Sequence, residues 1–361
     1  MNAISIVIPT HNRAALLPRA IRSALAATQP GDEIIVVDDG SVDETPAAIA
    51  EFADRVRYVR TENRGVGAAR NHGVSLATRP LITFLDSDDE CFPDRLTLQR
   101  QFMAARPDVL FCFSDFAMID DRTGERHRMY LQNWHGIDRS WDDMLAPGVP
   151  YSTLAPLPPG RDEFLVHIGN LYPSLIQGSL VAAWTSVIRR EAAGADLHFE
   201  EGIRICEEWW CFGRLARRGT AAFFACETAW NHGHDGPRVT DANQFDHLSC
   251  RLRMTESVWG RDEDFQSRHG DLYRAVVSTI HHERAKWYIS RGGMREARAD
   301  LRRAKASLSY MFLIASMPGP VAALLGGLRR VALRLLRPSI VTFALGLSDI
   351  TIDACEFMPA I

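Results

Sequence analysis

The chain opens on a short β-branched run, AISIVIPT, and the next stretch, NRAALLPRAIRSALAAT, sets Leu16, Leu17, Ala20, Ile21, Ala24 and Leu25 at helical spacing. The alternation then repeats. EIIVVDDGS reads as a second strand ending in acids, and DETPAAIAEFA as a second helix opened by Asp43 or Thr45 as cap. VRYVRTE is a third strand, GVGAARNHGVSLAT a third helix and PLITFLD a fourth strand. This β-α-β-α-β-α-β order predicts an α/β fold, a mostly parallel sheet flanked by helices. Ligands of such sheets sit beyond the carboxyl ends of the strands. There the chain places Thr10, His11 and Asn12, then Asp38 and Asp39, then Asp86 and Asp88.

Composition narrows the class. With 361 residues, 46% of them hydrophobic and 24% charged, the chain has enough apolar material for a sizeable core. A net charge of −4 and no basic stripe argue against a nucleic-acid partner. Of the 41 basic residues only Lys286 and Lys305 are lysine, which excludes a phosphate loop of the G-x-x-x-x-G-K type. Seven scattered cysteines without a C-x-x-C pair fit buried thiols in a reducing cytoplasm. No secretory signal is visible before the first strand.

The chemistry concentrates in LITFLDSDDECFP, residues 81–93. An apolar strand ends there in Asp86, Asp88 and Asp89, an accumulation of negative charge that calls for a positive partner. On an extended chain Asp86 and Asp88 point to the same side. The competing interpretation is that these acids cap the helix begun near Pro93, and Asp89 is left to that role. Paired acids at a strand end, as in VVDDGS, also open receiver domains that bind Mg²⁺, but those need a lysine on a later strand and none precedes Lys286. The Gly65-x-Gly67 pair lacks the third glycine of a dinucleotide fingerprint and reads as a helix entry.

Four segments in order, SIVIPTHNRAALLPRAIRSALA, EIIVVDDGSVDET, ENRGVGAARNHGV and ITFLDSDDECFPDRL, resemble the nucleotide-binding segments of the family 2 glycosyltransferases, inverting enzymes of the GT-A fold. The resemblance runs over about residues 4–100 and resumes more weakly near 170–245. It implies a GT-A nucleotide-sugar-binding domain over 1–245, with a nucleotide-sugar half (1–115) and an acceptor half (116–245), and a helical C-terminal extension over 246–361. It implies a nucleotide-sugar donor, UDP-sugar first because UDP is the commonest donor nucleotide of the family, and Mn²⁺ or Mg²⁺ bridging the diphosphate. Asp88 is then the principal metal ligand of a D-x-D motif, with Asp86 on metal or ribose and Ser87 between them. Asp39 faces the nucleobase while Asp38 shapes the turn with Gly40. Pro9, Thr10, His11, Asn12 and Arg13 line the nucleotide, and Arg70 with Asn71 belongs to the segment that closes over the base. The physics agrees: a hard cation held by carboxylate oxygens offsets the charge of a departing nucleoside diphosphate.

In the second half, QGSLVAAWTSVIRREAAGADLHFEEGIRICEEWWCFGRLARRG resembles the family's acceptor segment, in which an acidic pair opens a helix. The family usually has Glu-Asp where this chain has Glu207-Glu208. Position makes Glu208 the base that takes the acceptor's proton. Its extra methylene leaves Glu207 as the alternative, and acids favoured by a helix N-terminus are the bland explanation of both. Trp209 and Trp210 either stack on an acceptor sugar or pack. His234 fits a position that contacts metal or diphosphate, with His232 as alternate, and Arg238 meets the diphosphate bidentately.

Residues 116–170 match no known segment, and GVPYSTLAPLPPG within them reads as a loop. From about 246 the pattern turns helical, with two amphipathic helices split at Gly292-Gly293. In residues 320–337, leucines at helical spacing alternate with Arg329, Arg330, Arg334 and Arg337, the pattern of a helix lying on an anionic membrane face. The expectation is a cytoplasmic, metal-dependent inverting transferase of polysaccharide biosynthesis, acting on a glycan or lipid-linked glycan and touching the membrane peripherally. Two rivals stand beside it: a sugar-nucleotide-binding protein without turnover, and a sugar-1-phosphate nucleotidyltransferase, against which the missing N-terminal Gly-rich loop and lysines count.

Overall fold

The computed structural model describes residues 2–131, 139–233 and 243–305. The chain divides into two compact units, Met1–Tyr273 and Arg274–Ile361. Their helices include α6 (Gln244–Val258), α7 (Glu263–Ser290, with a break in helical geometry at His269) and α8 (Met294–Arg303). The first unit thus takes in α6, whose end is anchored by the fully buried Trp259, its indole N–H donating to the Tyr172 carbonyl at 3.1 Å. In the second unit His281 and Asp300 are both buried, with His281 Nδ1 2.7 Å from the Asp300 carboxylate and Arg284 donating to its other oxygen.

The first unit is built on one sheet of eleven described strands. Its left half is β3 (Arg57–Arg60), β2 (Glu33–Asp38), β1 (Ile4–Thr10) and β4 (Leu81–Phe84), all parallel. Every residue of β1 is buried, as expected of a strand covered on both faces. The crossovers are α1 (Leu17–Ala27), α2 (Thr45–Ile49) and α3 (Val66–Leu76). α1 begins later than the hydrophobic spacing suggests, with Pro18 in its first turn. At α2 the Asp43 carboxylate accepts the Thr45 N–H at 3.0 Å, but the residue that precedes the helix is Glu44, without a side-chain cap bond, so neither Asp43 nor Thr45 holds the cap position.

β10 (Val187–Arg189) enters antiparallel between β4 and β6 (Val109–Asp120). β11 (Thr220–Gly233) runs parallel to β6, and β9 (Leu165–Gly169) and β8 (Val149–Pro150) complete the far edge. β5 (Glu90–Cys91) pairs with β11 and β7 (Arg126–His127) with β6. The stretch read as a loop over 148–160 therefore contributes an edge strand, where Pro150 costs no internal ladder bond. It also contributes the fully buried Tyr151, whose hydroxyl donates to the Leu98 carbonyl in α4 (Arg95–Ala105).

The register aligns the chemistry. Thr10 lies beside Asp38 and Val7 beside Phe84, so the ends of β1, β2 and β4 open on one edge of the sheet. Close packing of α3 on β1 keeps that edge in place. A Cβ on Gly73 would stand 2.3 Å from Val7 Cγ1. Ala gains at most about 1 kcal/mol of helix propensity over Gly, whereas overpacking a filled core costs about 1–3 kcal/mol. Gly73→Ala is therefore expected to lower the thermal midpoint, measured by calorimetry; an unchanged or raised midpoint contradicts this packing.

Candidate active site

The loop after β2 is set by Asp38. Its carboxylate accepts the Ser41 N–H at 2.8 Å and the Tyr58 hydroxyl at 2.6 Å, closing a turn in which Gly40 has φ +72°. A Cβ there would meet Asn63 N at 2.8 Å. Asp39, also buried, uses one oxygen to accept the Arg64 N–H and the other to accept the Gly65 N–H, each at 2.8 Å. Each oxygen retains acceptor capacity. His11 sets Nδ1 2.8 Å from the Asp39 carbonyl, and the Asn63 amide lies within 3.2 Å of the same ring. Asn12 takes a left-handed φ of 52° and accepts the Val42 N–H through its side chain. The buried Thr10 hydroxyl has no hydrogen-bond partner among the described residues. Pro9, inside β1, and Ser87 are buried as well. Gly65, at φ +92°, opens α3.

Residues 86–89 form a turn, with the Asp89 N–H donating to the Asp86 carbonyl at 3.1 Å. The extended chain on which the same-side argument rests is therefore not what this segment adopts. Asp88 lies 3.6 Å from Arg13, and Asp86 2.8 Å from Arg70. Nor do these acids cap the next helix: the residue before α4 is Asp94, without a side-chain cap bond. Asp89 instead accepts the His232 N–H and the Asn231 amide, tying the turn to β11. Arg19 donates to the Asp88 carbonyl at 2.8 Å.

The acceptor-side acids arrive on α5 (Glu207–Arg218), entered through Cys206 at φ 67°. Arg70 meets them. Its guanidinium, 2% exposed, contacts Asp86 at 2.8 Å, Glu207 at 3.0 Å and Glu208 at 2.6 Å. Glu208 also accepts the Ala183 N–H at 3.0 Å. Acids held only by a helix dipole need no such burial. One guanidinium among three carboxylates leaves an excess of negative charge. Glu208 answers by holding its proton more tightly, pushed up to about 7 by burial, with Arg70 opposing and Asp86 and Glu207 adding. The positive charge that Asp86 calls for is thus supplied only in part, by Arg70.

That deficit also bears on the metal. Among the described residues no three His, Cys, Asp or Glu side chains cluster as a metal cage. Mg²⁺ and Mn²⁺ in nucleotide sites take one or two carboxylates, the remaining positions going to phosphate oxygens and water. Asp86 and Asp88, each 24% exposed, fit that donor set.

Other expected residues resolve differently. Trp209 and Trp210 are buried, and Trp209 Nε1 donates to the Leu175 carbonyl at 2.6 Å, so both pack instead of stacking on a sugar. His232 is buried between Glu90, 2.8 Å from Nε2, and Asp121, 2.7 Å from Nδ1. His234, Arg238 and the 320–337 helix lie outside the described residues. Sequence reasoning missed Phe199, whose ring lies 5.2 Å below the Arg70 guanidinium, and Asn63; no motif spacing signals either.

Residues 5–153 match the family model described as glycosyl transferase family 2. The succinoglycan biosynthesis protein ExoO of Rhizobium meliloti is 28% identical over 93% of this chain and 89% of its own length. An uncharacterized glycosyltransferase of Rickettsia conorii is 29% identical over 195 residues, and the match spans only 31% of that longer relative. Among solved structures, TarS of S. aureus, residues 1–349 with UDP-GlcNAc, superposes with a TM-score of 0.53 at 14% identity, over 85% of this chain and 91% of that one. The mannosyltransferase PcManGT of Pyrobaculum calidifontis, with GDP-Man and Mn²⁺, gives 0.51 at 16% identity, over 95% and 83%. At such identities the structures speak for the fold alone. Over residues 5–153 the chain is thus similar to glycosyl transferase family 2, and the sheet that carries the match has the GT-A fold.

Proposed function

We propose that this chain moves a sugar, with inversion, from a nucleotide sugar onto a glycan or lipid-linked glycan hydroxyl, UDP-sugars being the first donors to test. One observation carries the proposal: Arg70 holds donor-side Asp86 and acceptor-side Glu207 and Glu208 on a single guanidinium. Two carboxylate groups with different tasks are thereby kept within reach of one anomeric carbon. Glu208 takes the acceptor's proton as that oxygen bonds to the anomeric carbon, while the bond to the diphosphate oxygen breaks on the opposite face. Glu207, more buried than Glu208, holds Arg70 in place.

On the donor side Asp39 would face the nucleobase, and Pro9, Thr10, His11, Asn12, Arg13 and Ser87 would line the nucleotide. Mn²⁺ or Mg²⁺ would be held by Asp88 and Asp86, with His234 from the segment after β11, and when bound would offset charge on the departing diphosphate. Arg238 adds a bidentate donor to the same phosphates. The ligands bound in the TarS and PcManGT structures, a UDP-sugar and a GDP-sugar with Mn²⁺, and the succinoglycan role in ExoO's name support this reading. They make polysaccharide assembly the proposed setting. No described helix is long and apolar enough to cross a membrane. A cytoplasmic location with peripheral attachment through residues 320–337 is part of the proposal, as is a GT-A domain over 1–245 with a helical extension.

Titration calorimetry against UDP, GDP, CDP and dTDP tests the donor side. One diphosphate is expected to bind with Mn²⁺ and to lose most of its affinity in EDTA. Equal binding in both, or none of the four bound, would count against the proposal.

A further inference from the structure

We propose that Asn71 and Phe199 are positioning residues that fix Arg70 and, through it, the Glu207–Glu208 pair. The inference rests on the reading of Glu208 as base. The Asn71 amide donates to the Phe199 carbonyl and its oxygen accepts the Phe199 N–H, both at 2.8 Å, so one side chain reads both backbone groups of one residue. Asn71 also donates to Glu201 at 3.1 Å, and Arg64 holds the other Glu201 oxygen at 2.5 Å. The segment is pressed against α3: a Cβ on Gly67 would stand 2.7 Å from the Glu200 carbonyl.

Phe199 converts that grip into the orientation of Arg70. Its ring is fully buried, meets Phe84 edge-on at 5.0 Å, and presents its face to the guanidinium at 5.2 Å. A guanidinium offered three carboxylates has several nearly equivalent pairings. A flat apolar floor selects one plane among them. The same segment then runs to Cys206, whose left-handed turn sets Glu207 at the start of α5. Pinning residue 199 thus fixes both the cation and the chain that delivers the acids. Asn71 and Phe199 touch no reacting atom; they act through Arg70.

The test uses Asn71→Ala and Asn71→Asp in the full chain, with UDP-glucose and Mn²⁺, counting turnover per site occupied by UDP in calorimetry. Misplacing a catalytic group by about 1 Å costs up to about 10²-fold. Turnover per site is expected to fall roughly 10- to 100-fold with UDP affinity within about twofold, and Asn71→Ala added to Glu208→Gln to cost no more than about twofold. A merely structural residue would cost as much in both backgrounds. Unchanged turnover in both Asn71 variants, or a full further loss on Glu208→Gln, overturns the inference. If Glu208→Gln alone leaves turnover intact, the base assignment has failed instead. A crystal structure of Asn71→Ala then decides the positioning role without turnover: loss of the 2.6 Å contact between Arg70 and Glu208 supports it, and an unmoved Arg70 overturns it.

Discussion

Glu208→Gln is expected to bind donor as the wild type does and to lose transfer by roughly 10²–10⁴-fold, the usual contribution of a positioned general base. The substitution keeps the shape of the side chain and removes its charge and basicity, leaving one carbonyl oxygen to serve either the Ala183 N–H or Arg70. The sign of the pH dependence follows from the same residue. A base held near 7 by burial is protonated and idle below that pH, so wild-type turnover at saturating Mn²⁺ should rise with pH through about 7. Glu208→Gln should lack that limb. Glu207→Gln is expected to be milder, because Glu207 serves Arg70. Steady-state rates from pH 5.5 to 8.5 check all three; equal turnover in Glu208→Gln and wild type moves the base to Glu207 or elsewhere.

Asp88→Asn is expected to abolish the Mn²⁺-dependent part of nucleotide diphosphate binding while leaving the thermal midpoint near that of the wild type. Asp88 is the acid with the looser cationic partner, Arg13 at 3.6 Å and itself 20% exposed, so removing its charge leaves no fully buried cation stranded. Asp86 differs in this respect, since its loss would leave the buried Arg70 with one fewer acid. A metal ion supplies several kcal/mol of leaving-group stabilisation. Turnover should therefore fall with affinity. The assignment is wrong if Asp88→Asn binds UDP equally well in Mn²⁺ and in EDTA.

Much of the donor-side framework was legible in the sequence because parallel strands covered on both faces are continuous apolar runs, and their ends are where side chains change character. ISIVIPT, EIIVVD and LITF stop where Thr10, Asp38 and the turn bearing Asp86 begin. Asp38 closing its own turn is a local arrangement, spanning residues that sit close in sequence. What the sequence did not show is set by distance along the chain. Arg70 and Glu207 are separated by 137 positions, and no spacing rule joins them. Asp86 and Asp88 stand in a turn that begins immediately after Leu85, a feature that D-x-D alone does not encode. For Trp209 and Trp210, packing and sugar stacking look alike in the sequence; only their burial separates the two. The far edge of the sheet was hidden by Pro150, which marks a loop by propensity yet is tolerated on an edge strand.

The central claim is transfer from a nucleotide sugar with inversion, and the anomeric form of the released sugar tests it most directly. UDP-glucose, UDP-galactose, UDP-GlcNAc and GDP-mannose, all α-linked, are incubated with the protein and Mn²⁺, water serving as acceptor, and ¹H NMR follows the anomeric protons before mutarotation mixes them. The account predicts that the donor that turns over yields the β-anomer first and that Glu208→Gln suppresses its appearance. First appearance of the α-anomer, or no release from any of the four, would contradict it.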